Sequence, residues 1–202
     1  CLRQSITAAE SDNPFYRCFE GGMLTLNAFI RKVPDRVVYW GTSGQRITDS
    51  YHFDACCMKE LLDYSRLLHG KDIRGQLTPP SFEDIKTNIQ FHYDTIRKYA
   101  SSTGRSIYSF GWLLDIARCI YTLRTGKIIS KTAAGEWALQ NCLFHNIPAL
   151  ETALEVRKKP QKYLESAELQ ALSGKLGNAI QQYADVLEKE LKTTSFVGVC
   201  TF

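Results

Sequence analysis

Apolar side chains change their spacing along this chain near Thr78, from clusters and alternation before it to a helical repeat after it. That switch of period, from two to 3.6, predicts a strand-and-turn part followed by a helical part. In the first part, Phe19-Glu20-Gly21-Gly22-Met23-Leu24-Thr25-Leu26 lies in a strand-like run over residues 15–30 that two glycines interrupt. Glycines in such a place mark a turn or a close backbone approach. Residues 36–40 form a short β-branched and aromatic run, Gly41-Thr42-Ser43-Gly44 marks a turn, and residues 46–53 supply a returning strand. A short helix is predicted over 54–64, with Leu61 and Leu62 on its apolar face.

Thr78-Pro79-Pro80-Ser81 then reads as a stop followed by an N-cap, and Asp84 three residues after Ser81 completes a capping box with the shorter acid. The helix it opens runs through Ile85, Ile89, Tyr93, Ile96 and Ala100. A second helix, over 107–125, carries Trp112, Ile116, Cys119, Ile120 and Leu123 and ends at Gly126. Ser130 caps a third through Trp137 and Leu139, and a fourth over 149–158 ends before Pro160. A fifth, over 165–192, repeats Leu169, Leu172, Leu176, Ile180, Tyr183, Leu187 and Leu191. The pattern therefore predicts an α+β chain, mostly α: a partial β segment and then an antiparallel five-helix bundle. Its divisions fall at residues 1–75, 76–192 and a loose apolar tail over 193–202.

Composition narrows this picture only a little. With 44% hydrophobic and 23% charged residues the 202-residue chain is of globular type. A net charge of +4 suits a nucleotide or another anionic ligand and is too small and dispersed for nucleic acid. No apolar run reaches the roughly 18 residues of a membrane span. No basic segment precedes an apolar stretch as in a signal peptide. The seven cysteines form no CxxC pair, and several lie in apolar runs, which predicts buried, reduced thiols in a cytoplasmic protein and no zinc site. The chain opens at Cys1 rather than at methionine, which reads as a trimmed chain or a fragment.

Catalytic templates are largely missing. There is no GxGxxG or GxxxxGK[ST], no HExxH and no GxSxG, and the four histidines lack metal-ligand spacing. Arg46 and His52 fit the loose Arg-x(4–6)-His spacing of HEPN-type ribonucleases, but they flank a predicted strand where that motif needs a helix. More informative is the stretch from Trp112 to Ala138, a helix, a glycine-terminated turn and a serine-capped helix. Lys131 stands in the first turn of the second helix, where free N–H groups and the helix dipole favour an anion. Arg118 stands mid-helix among apolar neighbours, where a cation requires a carboxylate partner or a ligand.

Within this stretch, Ala117-Arg118, Tyr121-Thr122-Leu123, Thr125-Gly126-Lys127, Ser130-Lys131, Ala133-Ala134 and Trp137-Ala138 keep fixed spacings. Together they resemble the C-terminal helical domain of streptomycin/spectinomycin-type aminoglycoside adenylyltransferases, which are bacterial enzymes. Residues 53–70 and Leu77-Thr78-Pro79 are similar to that family's interdomain linker, and Phe19-Glu20-Gly21-Gly22-Met23-Leu24 to a strand of its wider relatives. The resemblance implies transfer of AMP from ATP to a hydroxyl of a small-molecule acceptor, with ATP and Mg2+ as cofactors. It implies that Glu20 is the carboxylate that assists the attacking hydroxyl, and that Arg118, Lys131 and Tyr163 line the nucleotide cleft.

The chain also departs from the family pattern. It contains no Gly-Ser…Asp-x-Asp metal motif, since Ser11-Asp12-Asn13 lacks the second acid and the preceding strand. The first 75 residues are accordingly expected to be the end of a nucleotidyltransferase domain whose metal-binding half is not among them. No metal ligands are assigned, and the 202 residues alone are expected neither to hold ATP and Mg2+ as bound cofactors nor to transfer AMP. The segment 104–108 also lacks the acids that streptomycin-modifying members carry, which argues against a polycationic acceptor. The expected partners are a nucleotide and a small-molecule acceptor, with no nucleic acid and no membrane. The alternative is a degenerate, non-catalytic helical binding module.

Overall fold

The computed structural model describes residues 21–41, 44–51, 53–100, 107–163 and 166–194, with Ser5, Ala8 and Ala9. The chain divides into two compact units, Cys1–Pro79 and Pro80–Phe202. In the first, β1 (Gly21–Gly22), β2 (Asp35–Gly41) and β3 (Gly44–Tyr51) form an antiparallel sheet in the order β1-β2-β3. Val37 and Trp40 of β2 are its buried members, and the Trp40 indole N–H donates to Gln45 on β3. The glycine pair forms β1 itself rather than a turn: Gly21 has a φ of +140°, which favours glycine, whereas a Cβ on Gly22 would make only ordinary contact with the Tyr51 ring.

Between β1 and β2 the chain forms α1 (Leu26–Arg31), where the sequence reads as strand. The reason is local. Thr25 accepts from the Ala28 N–H as an N-cap, and its own N–H donates to Asp35 at 2.7 Å, so the backbone turns in as soon as β1 ends. Helix α2 (Ala55–Tyr64) follows β3, capped by Asp54, which accepts from the Cys57 N–H, and it buries Met58.

The second unit opens on α3 (Phe82–Tyr99). Both bonds of the predicted capping box form: the Asp84 N–H donates to Ser81 Oγ and the Ser81 N–H to Asp84 Oδ2. A 3-10 turn, Ile107–Phe110, precedes α4 (Gly111–Thr125), which ends at Gly126 in the left-handed region. Then come α5 (Lys131–Gln140), α6 (Ile147–Lys158) and the single turn α7 (Pro160–Tyr163). The fifth predicted helix is two, α8 (Ala167–Ser173) and α9 (Leu176–Thr193), broken at Gly174-Lys175. Its leucine repeat runs through the break and so conceals it. The predicted tail lies, beyond Thr194, outside the described residues.

Helix α4 is the centre of this unit. Leu113, Leu114, Ile116, Ala117 and Ile120 are 0–1% exposed, and α9 contributes Ile180, Tyr183, Ala184 and Leu187 at 0%. Trp112 and Trp137 keep part of their surface exposed at the edge of this core. Trp112 stacks on His92 and Trp137 meets the Tyr121 ring edge-on. Helices α3 and α9 run antiparallel: Lys86 near the start of α3 donates to the Thr194 carbonyl after α9, and Arg97 near its end reaches Gln181 and Asp185 early in α9. The pair α4 and α5 departs from the antiparallel expectation. Asp115 meets Lys131, and Tyr121, further along α4, meets Trp137, further along α5. Their contacts therefore advance in the same direction. Ten helical residues span about 15 Å, a distance four extended residues nearly cover. The non-helical residues 127–130 can thus carry the chain back beside the start of α4.

Candidate functional site

Helix α4 buries an acid in its apolar face. Asp115 is 9% exposed between Leu114 and Ile116. A buried carboxylate needs partners, and it has two. Its Oδ1 accepts from Arg118 Nη2 at 3.2 Å, one turn along the same helix, and its Oδ2 accepts from Lys131 Nζ at 2.8 Å. An acid three residues before a base is a favourable helical pair.

Lys131 is brought there by α5. Ser130 caps that helix by accepting from the Ala133 N–H at 3.1 Å, which sets Lys131 in the first turn. A cation at this end opposes the helix dipole, and the Asp115 carboxylate offsets that opposition. One turn further on, Gly135 lets α5 approach its neighbours closely. A Cβ there would lie 2.7 Å from Leu114 Cδ2 and 2.8 Å from Leu154 Cδ2. The close approach holds the start of α5 within reach of Asp115.

The three side chains are layered. The Asp115 side chain taken alone is 12% exposed, whereas those of Arg118 and Lys131 are 32% and 30% exposed. The acid lies beneath and the two cations are partly open to solvent. Two positive charges on one negative leave a local excess of +1, a suitable face for a phosphate-bearing ligand.

Tyr163 belongs to a different cluster. Its hydroxyl donates to Glu155 Oε1 on α6 at 2.8 Å, and Lys159 donates to the same oxygen. The Tyr163 hydrogen bond, and then that of Lys159, holds the Glu155 carboxyl below the ordinary carboxylate value. Lys162, on the Tyr163 oxygen, has its pKa raised by that contact. No described hydrogen bond or ion pair links this group to Asp115, Arg118 or Lys131. Glu20 lies outside the described residues. Among the described residues no three His, Cys, Asp or Glu side chains gather as a metal site. No helix of the described chain is long and apolar enough to cross a membrane.

Sequence reasoning missed Asp115 and Glu155. For Asp115 a signal existed: it is the one acid in an otherwise apolar stretch of α4, placed one turn before the arginine that needed a partner. For Glu155 no such signal stands out, because it is one charge among several on an exposed helix face.

Comparison with known proteins supplies the remaining finding. Residues 85–189, a little over half of the chain, match the family model described as aminoglycoside adenylyltransferase, C-terminal domain. No curated protein and no solved structure matches the chain. The matched span runs from the first turn of α3 to near the end of α9 and takes in Asp115, Arg118, Lys131 and Tyr163. A helical unit of this kind, with paired cations on its α4–α5 face and more than half the chain inside the family model, places the chain in the aminoglycoside adenylyltransferase family through that C-terminal domain.

Proposed function

We propose that the helical unit serves an adenylyl-transferring enzyme of the cytoplasm by holding the phosphates of ATP while AMP passes to a hydroxyl of a small-molecule acceptor. The observation that carries this reading is the meeting of Arg118 and Lys131, from different helices, at one half-open point. In the transfer the acceptor oxygen bonds to the α-phosphorus, the bond to the leaving oxygen breaks, and pyrophosphate departs. Negative charge grows on the leaving phosphates, where fixed cations stabilise it. Arg118 and Lys131 have the charge and partial exposure for that task. Glu20 is proposed as the base and Tyr163 as a cleft residue, both on the family resemblance.

Among the described residues no three His, Cys, Asp or Glu side chains gather, and no step is assigned to metal held by this chain. The metal-binding half is proposed to lie outside the 202 residues. A second reading, a non-catalytic helical module, is favoured by the fact that Asp115 already pairs both cations.

Titration of ATP into the complete protein, with the proposed metal-binding half present, separates the two. Losing one charge-assisted contact costs about 1.5 kcal/mol or more when partly exposed, roughly a tenfold weakening. Lys131→Ala is therefore expected to weaken ATP binding about tenfold, and to lower the melting temperature because it leaves the buried Asp115 carboxylate with Arg118 alone. Equal ATP affinity in the two proteins, or no binding by either, removes the phosphate role and leaves the structural module.

A further inference from the structure

Asp115 has no counterpart among the roles considered so far. It bears a charge of the same sign as the ligand and lies directly behind the two cations proposed to receive that ligand. We infer that Asp115 is an internal counter-anion: it holds Arg118 and Lys131 together in the empty protein and opposes an incoming phosphate, so that it sets the affinity of the site. This inference rests on the phosphate-holding role proposed above.

Three observations carry it. Each carboxylate oxygen is given to one cation, Oδ1 to Arg118 and Oδ2 to Lys131, so a single anion links α4 to α5 at this point. The acid is the least exposed of the three groups, at 12% against 32% and 30%, so ligand meets the cations and not the acid. The α5 N-terminus adds a further positive end beside Lys131. With three positive contributions in one place, an anion must already be present for the empty fold to be stable. That same anion diminishes the attraction felt by the next one.

The size of the effect follows from Coulomb's law. A unit charge on the order of 6 Å from a phosphate changes a binding constant by roughly threefold at the dielectric of water and a hundredfold at that of a protein surface. Loss of side-chain order in Arg118 and Lys131 works in the opposite direction and is smaller. Removing the charge of Asp115 should therefore tighten anion binding by about tenfold.

The test is calorimetric titration of inorganic pyrophosphate into the 202-residue chain, as wild type, Asp115→Asn, Lys131→Ala and the double variant. Asp115→Asn is expected to bind pyrophosphate about tenfold more tightly than wild type, and Lys131→Ala in the same chain should abolish most of that gain. A purely structural aspartate predicts a lower melting temperature with unchanged or weaker binding. If Lys131→Ala weakens binding while Asp115→Asn leaves it unchanged or weaker, the phosphate site stands and the counter-anion role is overturned. If all four proteins behave alike, the phosphate site and the counter-anion role fall together. Should Asp115→Asn not fold, as judged by thermal melting, Asp115→Ser provides the same comparison.

Discussion

Replacing Gly135 by alanine sets two effects of known size against each other. Glycine inside a helix is about 1 kcal/mol less favourable than alanine, so on backbone grounds alone Gly135→Ala should stabilise α5. Against this, the new methyl carbon would sit 2.7 Å from Leu114 Cδ2 and 2.8 Å from Leu154 Cδ2, where carbon pairs prefer about 3.5–4.0 Å. Leu114 is 1% exposed and Leu154 6%, so neither can swing into solvent. Overpacking of a closed core costs about 1–3 kcal/mol. The net expectation is a loss of about 1 kcal/mol, or a melting temperature lower by roughly 4 °C for a unit of this size. Thermal melting followed by circular dichroism reads this directly. The variant should also disturb anion binding, because shifting α5 away from α4 lengthens the 2.8 Å contact between Lys131 and Asp115. A melting temperature raised by several degrees, with binding unchanged, would falsify the claim that α4, α5 and α6 close on this glycine.

Further expectations concern stability. Cys142 holds a left-handed φ of 50° just after α5, in a Schellman pattern with the Cys142 N–H on Leu139 O and the Leu143 N–H on Ala138 O. Glycine is the usual residue there, so Cys142→Gly should stabilise by about 0.5–1 kcal/mol, and a lower melting temperature would contradict the assignment. Tyr183 is fully buried with its ring stacked on Phe144, and its hydroxyl has no partner among the described residues. Tyr183→Phe should thus be neutral or stabilising by up to about 1 kcal/mol, whereas a loss above that in urea unfolding means the hydroxyl is bonded. Acid should weaken the helical unit through Glu188, lowered first by Lys192, and Glu155, lowered first by Tyr163. A carboxyl lowered in the folded state adds stability above its ordinary value of 4.5, and loses it as pH falls through the folded value. The urea midpoint should fall as pH drops below about 4.5, and the double variant Glu155→Gln, Glu188→Gln should flatten that slope.

The helical half was legible because its signals are local. Ser81 with Asp84, Ser130 and Gly126 each fix a helix end with atoms a few residues apart, and the structure uses all of them. What escaped reading depends on contacts distant in sequence or on competition between local signals. The break at Gly174-Lys175 hides beneath a leucine spacing that suits one long helix equally well. Leu26–Arg31 carries a strand-like composition, and Thr25 together with Asp35 turns it into helix. The closeness of α4, α5 and α6 at Gly135 leaves no trace in a one-dimensional pattern. For the site, charge and position singled out Arg118 and Lys131, but only three dimensions reveal that one carboxylate serves both.

Arg97 has a consequence for how the last helix finds its place. It touches Gln181, Asp185 and Glu188, which lie four and three residues apart and so form a single stripe along α9. The apolar face of α9 repeats at similar intervals, and leucines alone discriminate poorly between the native alignment and one displaced by a helical turn of about 5.4 Å. A guanidinium with directed donors does discriminate, because a slip of one turn would carry Gln181 or Glu188 out of its reach. Arg97 thus acts as an index pin, selecting one register of α9 against α3 from several that hydrophobic burial would permit.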